Sequence, residues 1–154
     1  MQVNIDLQII DESTKDLLPS LATMQDWVKE ALIMGGRNED SELTVRFTDK
    51  KEIHELNYEY RNMDKPTNIL SFPFECPDEV SLPLIGDLVI CNEILVQEAK
   101  DQNKSFNEHL CHLLVHGALH LIGYDHIKDD EASIMEGLEI KVLAKIGFKN
   151  PYEA

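Results

Sequence analysis

Residues 116–126 read HGALHLIGYDH, three histidines in the spacing H-x-x-x-H-x-x-G-x-x-H. That spacing is a metal-ligand pattern. On a helix, residues four apart lie on one face, so His116 and His120 project from adjoining turns toward one point. Gly123 stands where a helix needs a left-handed residue to end, and the turn through Tyr124 and Asp125 can return His126 as a third ligand. Three neutral imidazoles with a fourth position free are the donor set of a catalytic zinc site, since structural sites are closed by four protein ligands. One Zn2+ per chain is therefore expected, with another divalent metal as the variant. The competing reading is a set of hydrogen-bonded core histidines. His109 and His112 share the helix face. Nothing places either among the ligands; His109 reads as exposed or as an ordinary core residue, and His112 as a support for a ligand or as packing.

A zinc peptidase with this spacing carries glutamate after the first histidine, to accept and later deliver a proton. Here that position is Gly117. Bound zinc lowers the pKa of its water to about 7 without help, but a leaving amine needs the delivered proton more than a phosphodiester's alkoxide does. An anionic phosphate calls instead for a cation. Arg61, in YRNMDKPTN (60–68), is one such cation. Its guanidinium can clamp a phosphate bidentately, with Lys65 adding a weaker contact. Read alone, Arg61 is more readily a solvated charge at the carbonyl pole of a helix. A catalytic part is expected of His116, through the ion, with Arg61 as the phosphate clamp if its charge is not simply solvated. Asp125 either orients a ligand histidine from behind or fixes the turn. Asp87 reads as a cap or turn residue, Met135 as core. Phe72 and Phe74 can stack bases, although core lining is expected of at least one.

Positioning these groups requires a recognisable set of elements. VNIDLQII (3–10) and ELTVRFTD (42–49) alternate as strands, and LIGDLVICN (84–92) reads as another. TNILSFPFE (67–75) is β-like, and Pro73, lacking a ladder donor, places it at a sheet edge, where it can wall a substrate cleft. Helices are expected over 16–34, stopped by Gly35–Gly36, and over 50–63, 93–102, 105–122 and 128–146. The segment 105–122 is apolar nearly all round and should be buried. The sum is an α+β fold, a small four-stranded mixed sheet packed with helices, with the metal site on a central buried helix.

The chain has 154 residues, 43% hydrophobic and 28% charged, which suits a single globular domain spanning 1–154. No apolar run reaches the ~20 residues of a membrane span. The amino terminus lacks the features of a secretory signal, so a cytoplasmic location is expected. Cys76, Cys91 and Cys111 form no C-x-x-C pair, and read as reduced, partly buried thiols. The net charge of −15 is spread over both halves and opposes a non-specific nucleic-acid coat. The densest basic stretch, 37–65, holds Arg37, Arg46, Lys50, Lys51, Arg61 and Lys65.

HGALHLIGYDH, taken with YRNMDKPTNILSFPFE (60–75) and IGDLVICNE (85–93), resembles the YbeY family of bacterial rRNA-maturation factors, in block order and spacing from about residue 43 to 140. The resemblance implies a zincin-like, metal-dependent, single-strand-acting endoribonuclease in small-subunit rRNA processing and ribosome quality control. It implies His116, His120 and His126 as zinc ligands and Arg61 as the functional arginine. Asn68 departs from the family's usual Asp. Expected partners are rRNA and, given the acidic surface, a small-subunit ribosomal protein or an assembly GTPase supplying part of the grip. The alternatives are a metal-dependent hydrolase of another substrate, and an assembly factor whose metal is mainly structural.

Overall fold

The computed structural model describes residues 1–75 and 82–153. Cys76 lies outside them. Four strands, β1 (Val3–Ile9), β2 (Ser41–Thr48), β3 (Ile69–Pro73) and β4 (Leu84–Cys91), form a sheet in the order β1-β2-β4-β3. β1, β2 and β4 run parallel, and β3 pairs antiparallel with β4. The sheet is mixed, and Pro73 lies on an edge strand, where its missing N–H costs no ladder bond.

Among the described residues, five α-helices accompany the sheet: α1 (Leu21–Met34), α2 (Lys50–Arg61), α3 (Asn92–Asp101), α4 (Phe106–Leu121) and α5 (Asp129–Ile146). The segment expected as one helix over 16–34 divides. A 3₁₀ turn occupies Glu12–Leu17, and α1 begins only after Ser20, whose hydroxyl accepts from Thr23 N at 3.1 Å. Pro19 explains the break: it disfavours helical geometry in the residue before it, and Ser20 then supplies an N-cap.

The main core lies between one sheet face and α1, α4 and α5, with Leu43, Val45, Phe47, Leu88 and Ile90 meeting Leu110, Leu114, Ala118 and Leu119. α2 covers the other face over a smaller cluster of Ile53, Leu70, Val89 and Cys91. Cys91 and Cys111 are buried free thiols, Cys111 pushed up to about 12 by burial. Met135 is fully buried core.

Two glycines set the distance between α4 and the sheet. A Cβ on Gly117 would lie 2.7 Å from Leu88 Cδ2 and 3.0 Å from Ile69 Cδ1. Gly86, at φ +143°, marks the β2–β4 register shift, and a Cβ there would collide with Phe72 O. Asp87 is consequently neither cap nor turn: it sits within β4, exposed, opposite Thr44 and Phe72.

Candidate metal centre

α4 opens with Ser105, whose hydroxyl accepts from Glu108 N at 3.1 Å. It closes at Gly123, at φ +105°, where Gly123 N donates to His120 O and Tyr124 N to Leu119 O. This paired bonding is a Schellman ending. It turns the chain back toward the helix, so that His126 joins His116 and His120. One ligand atom from each of the three rings lies within 4.8 Å of the others. Tyr124 anchors the turn by donating its hydroxyl to Gly35 O at 2.9 Å.

The rings are held from behind. His120 Nδ1 lies 2.8 Å from Tyr124 O, which can only accept, so Nδ1 carries the proton and Nε2 a lone pair. His116 Nδ1 lies 3.3 Å from the carboxylate of Glu139, which again calls for the proton on Nδ1. With both rings neutral in those tautomers, the two Nε2 atoms face each other at 3.1 Å as lone pairs. Two acceptors so placed repel unless a cation lies between them. Nitrogens about 2.0–2.1 Å from one tetrahedral ion would stand about 3.3 Å apart. The donor set fits a divalent ion. Burial, and next the neighbouring His116, push the His120 pKa down, favouring the neutral ring that a metal requires.

The three rings open onto a cleft of about 540 Å3, also lined by Arg61, Asn68, Ile69 and Ser71. β3 forms one wall. Arg61 leaves the last turn of α2, next to Asn62 in the left-handed conformation at φ 57°. No hydrogen bond or ion pair among the described residues occupies its guanidinium. The rest of the basic stretch does not form a patch. Arg46 is clamped by Glu52 at 2.6 and 2.8 Å, and Arg37 bonds Ser41 at 2.6 Å. Lys65 is exposed in the α2–β3 loop and is not among the cleft's lining residues. Asp125 lines the cleft, but its Oδ1 accepts from His126 N at 2.7 Å and stays 4.0 Å from the His126 ring, so it shapes the turn. Phe72 packs under α2, edge-on to Tyr60 at 5.3 Å, and Phe74 is exposed outside the cleft. His109 is a buried core residue, 2.9 Å from Glu98.

Glu139 was not among the residues singled out from the sequence. It is fully buried on α5, and one of its oxygens lies 2.6 Å from His112 Nε2 and accepts the Tyr152 hydroxyl at 2.7 Å. Burial by itself would raise its pKa, but His112, His116 and Tyr152 together outweigh burial and hold it at about 2. A sequence signal does exist. Glu139 falls on the buried stripe of α5 with Met135, Val142 and Leu143, and a carboxylate in such a stripe must find donors.

Fold and site together give an α+β architecture with a three-histidine cluster that could hold a metal ion, beside an edge strand and an arginine that bonds to no described residue. Comparison makes the assignment specific: the profile of the family described as Endoribonuclease YbeY matches residues 8–147, and the chain belongs to that family. The family's role is endonucleolytic, in rRNA processing. The chain is also similar in structure to TM1509 from Thermotoga maritima, known from a solution structure, at 23% identity, with 99% of each chain covered and a TM-score of 0.56. At that identity the likeness speaks to the fold alone. Among the described residues, no helix is long and apolar enough to cross a membrane.

Proposed function

We propose that this chain is a zinc-dependent, single-strand-specific endoribonuclease, zincin-like in its helix-borne ligand pair, acting in small-subunit rRNA maturation and ribosome quality control in the cytoplasm. One observation carries the reading: His116, His120 and His126 converge in the same cleft that takes the unpaired Arg61. In this reading His116, His120 and His126 hold the ion and Arg61 grips a phosphate oxygen pair. When bound, the ion supplies Lewis acidity and lowers the pKa of water toward neutrality. The free edge of β3 guides an extended strand along the cleft. The cleft's volume suits one nucleotide-sized group, which favours single-stranded substrate with splayed bases. Lys65 serves as an outer contact for a longer RNA.

Gly117 supports a phosphodiester substrate over a peptide. The position faces Leu88 and Ile69 in the core, so no glutamate can reach the cleft from it. The net charge of −15 leaves the remaining surface ill-suited to RNA. That favours help from a basic small-subunit ribosomal protein or an assembly GTPase.

The deciding experiment combines elemental analysis with cleavage of a structured rRNA fragment before and after chelation. Loss of cleavage on chelation, return on adding zinc and a retained fold support the reading. Cleavage that survives complete metal removal overturns it. Unfolding around α4 on chelation would point to a structural ion instead.

A further inference from the structure

The metal reading leaves Glu139 and Tyr152 without a role, although Glu139 lies against the back of His116 and Tyr152 donates to Glu139. A fully buried carboxylate is costly unless donors surround it, and the neighbouring stripe residues Met135, Val142 and Leu143 are apolar. All three of its close contacts fall on one oxygen, Oε1: His112 Nε2 at 2.6 Å, the Tyr152 hydroxyl at 2.7 Å and His116 Nδ1 at 3.3 Å. His116 therefore has Glu139 behind it and His120 in front, where the two Nε2 atoms stand 3.1 Å apart. His120 has only a neutral carbonyl behind it, that of Tyr124. His126 has Asp125 no nearer than 4.0 Å. Among the described residues, a buried anion backs His116 and neither of the other two rings.

We propose that Glu139 is the positioning residue of the metal centre, holding His116 as its Nδ1–H tautomer, and that Tyr152, from the stretch after α5, holds Glu139 in turn. The carboxylate fixes the ring's rotation and raises the basicity of the nitrogen that faces the ion. Tyr152 directs its hydroxyl at the same oxygen, while Lys104 donates to Pro151 O at 3.1 Å and pins this stretch against the body. The turn after α5 thus sets affinity at a site whose ligands end at residue 126. This rests on the three-histidine metal reading.

The test uses the full chain and its Glu139→Gln and Tyr152→Phe variants. Zinc dissociation constants come from chelator competition, apo-protein stability from urea unfolding, and the His116 tautomer from imidazole nitrogen resonances. Glu139→Gln should weaken zinc about 10–100-fold, and Tyr152→Phe about threefold to tenfold. In the unaltered apo-protein the His116 proton should sit on Nδ1. Zinc bound by both variants within about twofold of the parent, with stability lowered, would reduce the network to a structural ion pair and overturn the inference. An Nε2–H tautomer for His116 in the parent would do the same. A parent that takes up no zinc would overturn the metal reading along with it. If Glu139→Gln does not fold, Tyr152→Phe and the parent's tautomer decide.

Discussion

Gly117 and Leu88 approach so closely that a Cβ on the glycine would stand 2.7 Å from the leucine's Cδ2. Cores packed this tightly resist added volume. Gly117→Ala should destabilise the protein by about 1–3 kcal/mol, offset in part by the better helix propensity of alanine. Gly117→Glu should unfold the α4 region without creating peptidase activity. Urea unfolding and a peptidase assay check both; a stable, peptide-cleaving Gly117→Glu protein would contradict the packing argument.

His116→Ala and His120→Ala should each take bound zinc well below one ion per chain while leaving most secondary structure in place. Elemental analysis and circular dichroism are the measurements. Unchanged stoichiometry in either variant would remove that residue from the ligand set.

Arg61 ends an exposed helix terminus and bonds to no described residue, so Arg61→Ala should cost little stability. It should retain the metal and lose cleavage by about 10²–10³-fold, the range of a lost charge-stabilising donor. Arg61→Lys should recover only part, because an ammonium cannot make the bidentate contact. Cleavage kinetics at saturating RNA give the answer, and full activity in Arg61→Ala would end the clamp role.

Asn68 donates to Glu98 Oε1 at 3.1 Å, and Glu98 also lies 2.9 Å from His109. Asn68→Asp would set two carboxylates together. It should cost about 1–3 kcal/mol at neutral pH, the range for a lost hydrogen bond to a charged group. A compensating Glu98→Gln should recover much of it. A thermal melt of the single and double variants tests the coupling.

Burial pushes the His109 pKa below its usual value, opposed by Glu98, and the His120 pKa falls for the same first reason. Both rings stay neutral in the fold at a pH where the unfolded chain already binds protons. Apo-protein stability should therefore fall as pH drops below about 6.5, by at most about 1.4 kcal/mol per unit for each ring. Glu139 acts lower: with its pKa held at about 2, its contribution is complete above the unfolded value and lost as pH falls from about 4.5. His109→Gln should flatten the upper part of the curve. A curve level between pH 7 and 5 in the metal-free protein would show that neither ring is held neutral.

Most of the architecture was legible because its causes are local. Alternation in ELTVRFTD, the apolar girth of 105–122 and the proline in SFPFE state strand, buried helix and edge strand without reference to the rest of the chain. The start of α1 was legible too, in Pro19–Ser20, and the apolar periodicity running through it hid the signal. The clustering of the histidines was equally local: two histidines one helical turn apart and a glycine-ended turn bring three rings together whatever the helix rests on.

Tertiary structure alone decided which long-range partners those groups meet. That Arg61 opens into the histidine cleft while Lys65 does not depends on how the α2–β3 loop crosses the edge of the sheet. That Gly117 admits no side chain depends on Leu88, far off in sequence, lying beneath it. Glu139 meets His112 only because α5 packs along α4, and no periodicity within either helix records that docking. Helix geometry is set within a few residues, whereas contacts between elements are set by how whole buried faces fit.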